Sequence, residues 1–428
     1  MRSEWAATAI YGGAHYGKSL FWYVSELLFA FFLTEVAAIP ANQMGLILAL
    51  GLLVSAALNI AVGSRLSHLL PTAANAGRLQ FLGAVASAVS MTMIFACHWL
   101  PGEVRLGGAF AASLAFRLSY ALYDIPQNSL LSLATHGERA RTNVAAIRYV
   151  FSGLAALTIA ATLAPLLGSG AAADRAVLFC KIGAGLSVVA IASAWLLARA
   201  IRGATDPSLP DADTRGGYLP IDIRLLIGLM FVVTLAAPTF SKVEPYFAAF
   251  VLRDPLLGSG VAMAVAVGMT VAQPFWGMLA QRCSRAVLIV ITAAAIVLAA
   301  VLFSFVAGIG GGAVLAGALA FGAAGGGIGI AIWASFADAV ARHARGKEAW
   351  CYALFGASSK LSLAISGLAL GLMLSRIDYR GDDSEMLVSL MVVPPVLAGT
   401  VCAVAALGWR LIAGRRRVPH DLTEKSRA

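Results

Sequence analysis

The stretch Gly107–Ala134, GGAFAASLAFRLSYALYDIPQNSLLSLA, is apolar over a length that crosses a bilayer, yet it holds Arg117 and Asp124. Seven residues apart, at 3.6 residues per turn, the two charges fall on one face of a helix. That face cannot look at lipid. A charge at membrane depth costs on the order of 3 kcal/mol on insertion scales, so it is kept where it meets a partner, a water-filled cavity or a solute. The stretch reads as one wall of a polar pathway through a membrane.

The rest of the chain has the same character, with 60% apolar residues, 12% charged residues and a mean hydropathy of +0.84. A hydrocarbon core of about 30 Å takes roughly 20 apolar residues per helix. Twelve such spans are expected in the 428 residues, near 19–39, 44–67, 79–100, 107–134, 144–168, 176–200, 223–250, 257–280, 287–308, 312–340, 349–375 and 386–413. An even number puts both termini on one side. The connections after even-numbered spans carry Arg65, Arg78, Arg139, Arg141, Arg148, Arg199, Arg202, Arg282, Arg285, Arg342, Arg345 and Lys347. The odd-numbered connections are balanced or acidic. By the positive-inside rule both termini are cytoplasmic, and the basic tail from Arg410 to Arg417 lies at the inner surface against anionic lipid. The net charge of +10 then needs no nucleic acid.

The first apolar run has full spanning length and no small-residue cleavage pattern, so it reads as helix one rather than a signal peptide. Cys97, Cys180, Cys283, Cys351 and Cys402 show no metal or redox spacing and read as packing residues. The six histidines are equally scattered. Gly322–Gly329 reads as a stretch permitting close helix packing; no Lys-Ser/Thr follows its glycines, so it is no phosphate loop. Without a nucleophile and base pair, a metal cluster or a nucleotide loop, the sequence points to neither an enzyme nor an ATP-driven pump. No cofactor is expected.

The polar run Arg202–Gly217 interrupts the membrane pattern at mid-chain. It divides the protein into a first six-helix bundle (1–201), a linker (202–221), a second bundle (222–413) and a basic tail (414–428). Gly63-Ser64-Arg65-Leu66-Ser67-His68 ends span two, and Gly277-Met278-Leu279-Ala280-Gln281-Arg282 ends span eight, half a chain later. Both resemble the G-x-x-x-D-R signature of the major facilitator superfamily, with Ser67 and Gln281 in place of the aspartate. That superfamily is built from two parallel-repeat halves with the solute site between them. The fold class expected is therefore an all-α membrane protein of twelve transmembrane helices in two six-helix bundles.

Tyr120-Ala121-Leu122-Tyr123-Asp124-Ile125-Pro126-Gln127-Asn128, followed by Arg148, resembles the glycoside-pentoside-hexuronide:cation symporter family. Gly17-Lys18, Thr34-Glu35-Val36, Lys242-Val243-Glu244-Pro245-Tyr246-Phe247, Pro274-Phe275-Trp276-Gly277, Trp333 to Asp338 and Lys347 to Lys360 fall in step with it. The resemblance implies that Asp124 contacts solute hydroxyls, that Arg148 lies near it on helix five, and that Lys360 reaches the cavity from helix eleven. Charged groups of these kinds match vicinal hydroxyls, and Tyr120, Tyr123 and Trp22 can stack on an apolar sugar face. Sodium-coupled members carry two acidic residues on helix two, where this chain has Ser55 and Asn59. Hard cations want several oxygen ligands, so sodium is disfavoured. Glu26, mid-span on helix one, suits proton exchange instead.

Glu26 and Arg117 are coupling candidates together with Asp124, or else neutralise one another as a structural ion pair. Lys242 and Glu244 lie nearer the outer half of span seven, in a solvated, gating or solute-contacting role. The function expected is proton-coupled secondary transport of a sugar or glycoside by a monomer in a bacterial inner membrane. The alternative is a carrier for a siderophore, peptide or amphipathic molecule, sodium-independent or uncoupled.

The topology is directly testable. An alkaline-phosphatase fusion at residue 210 is expected to be inactive, because that reporter folds only outside the cytoplasm; an active fusion would break the twelve-span reading.

Overall fold

The computed structural model describes residues 2–63, 72–133, 138–168, 170–202, 219–344 and 348–415, which are helical almost throughout with no strand among them. Twelve long helices follow the chain in order. Helix α1 runs from Arg2 through Tyr23 and continues through π-helical turns at Val24–Leu28 and Phe32–Val36. Then come α2 (Ala41–Gly63), α3 (Ala73–Ala96), α4 (Gly102–Leu133), α5 (Glu138–Gly168) and α6 (Ala172–Ala200). The second half comprises α7 (Ile221–Leu252), α8 (Pro255–Arg282), α9 (Arg285–Val306), α10 (Gly311–His343), α11 (Glu348–Leu374) and α12 (Met386–Arg415). Residues 64–71, which hold the first signature copy after Gly63, residues 203–218, Lys347 and the residues after Arg415 lie outside the described residues.

Eleven of these helices are long and apolar enough to cross a membrane by length and composition. The twelfth, α4, is the quoted stretch, and it is less apolar because Arg117 and Asp124 sit in its interior. The expected boundaries hold to within a few residues except at the start. Span one, expected from residue 19, is already helical and apolar from Ala9, which brings Lys18 inside the membrane.

Local sequence explains where helices begin and bend. Thr72 caps α3 by accepting from the amide of Asn75. Asp254 accepts from the amides of Leu256 and Leu257 and starts α8, with Pro255 at its first position and Arg253 left-handed (φ 53°) just before. Prolines 126, 165, 245, 394 and 395 lie inside helices, which neighbouring helices make tolerable in a membrane.

Helices α1 to α6 pack on one another, as do α7 to α12, giving two six-helix bundles. They meet along α2 against α11, α5 against α8, and the C-terminal half of α1 against α7. Apolar side chains such as Leu82, Val89 and Met93 form an outward stripe on α3, as lipid contact requires. With no hydrophobic drive between helices in lipid, small residues set how closely they approach. A Cβ on Gly322 would come within 2.0 Å of the Val265 carbonyl oxygen, and one on Gly268 within 2.1 Å of that of Leu319, so α8 and α10 touch backbone to backbone. Gly45 and Gly371 serve α2 and α11 likewise across the bundle boundary.

On the face opposite the termini the bundles are tied together. Glu35 of α1 accepts from Tyr379 Oη at 2.7 Å and from Arg380 at 2.8 and 3.0 Å, both in the connection between α11 and α12. Thr34 Oγ1 and Tyr246 Oη of α7 hydrogen-bond at 2.9 Å.

Gly322→Val is expected to destabilise the protein by about 1–3 kcal/mol, the usual range for overpacking. Gly325→Ala, where an added Cβ meets nothing within 4 Å, should be neutral. Thermal unfolding of the detergent-purified variants distinguishes them; equal melting temperatures would refute the backbone contact.

Candidate functional site

The charged residues of the membrane interior form two groups joined by one lysine. The first is built on the π-helical turn of α1, which carries Glu26. Arg117 of α4 reaches Glu26 Oε1 at 3.1 Å, and its other terminal nitrogen donates to Ser25 Oγ at 3.4 Å. Lys242 of α7 stands 3.4 Å from Glu26 Oε2, an ion contact without hydrogen-bond alignment. One carboxylate thus serves two cations, one from each bundle. Gly51 of α2 makes room for the arginine stem, since a Cβ there would lie 2.9 Å from Arg117 Cγ.

The second group lies about two to three turns along α4 and α1 toward the termini. Asp124 Oδ1 receives Lys18 Nζ of α1 at 2.8 Å and Asn128 Nδ2, one turn on, also at 2.8 Å. Asn128 Oδ1 in turn accepts from Lys18 at 2.7 Å and from Arg148 of α5 at 2.9 Å. Arg148 therefore meets Asp124 through the Asn128 amide rather than as a direct ion pair.

Lys360 of α11 connects the groups. It is 8% exposed and donates to Ser55 Oγ and Asn59 Oδ1 of α2, each at 2.9 Å, across the bundle boundary. Asp124 and Arg117 both lie within its electrostatic range. Its ammonium is held by neutral oxygens deep in the protein and does not snorkel to the surface.

The aromatic candidates separate. Trp22 and Tyr120 face one another at 6.1 Å between ring centroids, and Trp22 packs beside Leu52 of α2 and Leu363 of α11 where the bundles meet. Tyr123 is fully buried against Phe21, its hydroxyl turned to the carbonyls of Ala14 and Ala190 between α1 and α6. Residues 120 and 123 differ by 60° around the helix, enough to turn one ring to the centre and the other into the first bundle.

One expectation needs correction. Of the roles open to Lys242 and Glu244 the solvated one falls away: they are 3% and 1% exposed. Two residues apart on a helix they point to nearly opposite sides, so Lys242 faces Glu26 while Glu244 shares the stripe of Phe240 and Phe247, which pack on Phe303 of α9. Glu244 Oε1 has no hydrogen-bond partner. Lys18 and Asn128 entered the sequence reading only as parts of the motifs that carry the resemblance, with no role given to either. The signal for Lys18 was its spacing of one turn below Trp22 on a helix whose start had been set too late; Asn128 stood one turn from Asp124 on the same face.

This geometry, two helical bundles closed over a buried polar boundary, defines a transporter of the major facilitator type. The sequence matches the family described as MFS/sugar transport protein over residues 10–411, and the chain belongs to it. It is a multi-pass membrane transporter and not an enzyme. No curated protein matches the chain by sequence. Similar solved structures include a mutant of the nucleoside transporter NupG, at 11% identity, TM-score 0.67, covering 93% of this chain and 99% of that one. A bacterial homologue of the human drug peptide transporters PepT1 and PepT2 matches at 13% identity and TM-score 0.66, covering 97% and 100%. A bacterial homologue of the iron transporter ferroportin, in an inward-facing state, matches at 13% identity and TM-score 0.63, covering 95% and 98%. At such identities they share the fold alone.

Asp124→Asn should leave Lys18 buried without its carboxylate, costing about 3–5 kcal/mol in stability. The double variant Lys18→Met/Asp124→Asn should recover part of that stability. Neither should accumulate solute. Unfolding and vesicle uptake measured on all three proteins check this; wild-type uptake by the single variant would reduce Asp124 to a packing residue.

Proposed function

We propose that the protein is a secondary carrier of a small polar solute of the sugar or glycoside class, driven by protons and independent of sodium, working by alternating access. The observation that carries this reading is the placement of Asp124, Arg148 and Lys360, with Trp22 and Tyr120, around the boundary between the two bundles. Paired donors and acceptors beside aromatic faces suit a polyhydroxylated ring. In this reading the protein is a monomer in a bacterial inner membrane with cytoplasmic termini.

Two details support the choice of ion. The oxygens of Ser55 and Asn59 are engaged by the Lys360 ammonium, which supplies a cation where sodium-coupled relatives would bind one. Glu26 links Arg117 of the first bundle to Lys242 of the second. Protonating it removes the attraction that holds Lys242 across the boundary, so proton uptake favours parting of the bundles. Solute binding between Asp124 and Lys360 favours their return.

Uptake into proteoliposomes is expected to respond to an imposed pH gradient and not to a sodium gradient. Glu26→Gln should equilibrate solute without accumulating it. Stimulation by sodium alone would overturn the coupling proposed.

A further inference from the structure

The buried charge of the pathway does not balance. Among the described residues five cations lie at its centre: Lys18, Arg117, Lys242 and Lys360, which are buried, and Arg148, which is half-buried. Two carboxylates face them. Asp124 takes Lys18, and Glu26 takes Arg117 and Lys242. Glu244 does not contribute, since it lies on the far side of α7 among phenylalanines. Glu35 is engaged by Arg380 at the closed face. Among the described residues Arg148 and Lys360 therefore have only neutral oxygens as direct partners: the Asn128 side chain for one, Ser55 and Asn59 for the other.

A buried cation without a counter-ion is unfavourable: a lysine there either loses its proton or keeps it beside a bound group of opposite charge, and an arginine has the second course alone. The two uncompensated cations come from α5 and α11, on opposite bundles, and both act on the neighbourhood of Asp124. A solute held between them would be gripped from both sides of the moving boundary. Guanidinium and ammonium groups are the donors that carboxylates and phosphates take up with charge-assisted hydrogen bonds. A neutral sugar would leave the excess charge in place.

We infer that the solute carried through this pathway is an anion, a polyhydroxylated molecule bearing a carboxylate or phosphate group that Arg148 and Lys360 bind together. This inference rests on the transport reading above and specifies its substrate. The hydroxyls of such a molecule fall to Asp124 and Asn128, and its ring or carbon chain to Trp22 and Tyr120.

The test uses the full chain in proteoliposomes and probes of one shape and different charge: glucose, glucosamine, glucuronate and glucose 6-phosphate, with sorbitol, gluconate and sorbitol 6-phosphate as an open-chain set. Uptake is read by mass spectrometry. Anionic members of at least one set are expected to enter at least about tenfold faster than the neutral member, the carboxylate and phosphate arms showing which group is preferred. Arg148→Gln and Lys360→Gln should each remove most of that preference, and Lys360→Arg should keep it. Far-UV circular dichroism and a monodisperse elution profile establish that each variant is folded. Entry of glucose or sorbitol at the rate of its anionic counterpart, or faster, overturns the inference and leaves transport standing. Entry of no probe into vesicles holding folded wild-type protein overturns both the sugar-class transport reading and the inference.

Discussion

Charge cannot face hydrocarbon, and that constraint organises the interior of this protein. Helix α1 shows it most plainly, because Lys18, Glu26 and Glu35 each find a partner on another element. At 1.5 Å per residue the three lie some 12 to 14 Å apart along the axis. The lowest contact stays within the first bundle, the middle one spans α4 and α7, and the last reaches the connection between α11 and α12. The helix is thus a strut whose fastenings pass progressively from its own bundle to the other.

The same helix departs from regular geometry where those fastenings lie. Glu26 and Glu35 both fall in π-helical turns, and α7 has a third such turn at Ala248–Leu252. Each inserted residue turns the following side chains about the axis, and such turns are frequent at functional sites. Here they occur on the two helices that meet across the boundary through Glu26 with Lys242 and Thr34 with Tyr246. Elsewhere the boundary includes close glycine and serine contacts, such as Gly45 with Gly371 and Ser259 with the Ala160 carbonyl, beside the Lys360 hydrogen bonds to α2. In the alternating-access reading proposed above, close backbone contact would give a well-defined surface for rocking, and the polar ties discrete resting positions.

Much of this was legible in the sequence because membrane helices are specified by length and apolarity, both local properties. The spacing of Arg117 and Asp124 located the polar face of α4 before any contact was known. What was missed has a common cause. Lys18 precedes the apolar run read as span one, and only the position of Asp124 on another helix makes a lysine tolerable at that depth. Tyr120 and Tyr123 look equivalent by composition, while their 60° separation matters only once α6 is in place. Tyr379 and Arg380 lie in an acidic connection that reads as solvated, and their attachment to Glu35, more than three hundred residues away, has no local signal. Conversely, the place of Lys242 and Glu244 near one end of span seven left a solvated role open beside gating or solute contact, whereas Glu26 and the phenylalanine stripe determine where they sit.

The Lys360 ammonium has a thermodynamic consequence of its own. A free ion occupies a site according to its concentration on each side of the membrane, and exchanges free energy with that difference. A cation covalently attached to α11 meets Ser55 and Asn59 at an effective concentration set by the helix geometry alone. Occupancy of that contact is indifferent to the salt of the surrounding medium, and no ion leaves with the cargo when it breaks. In the transport cycle proposed above it would act as a returnable latch, recovered intact each time.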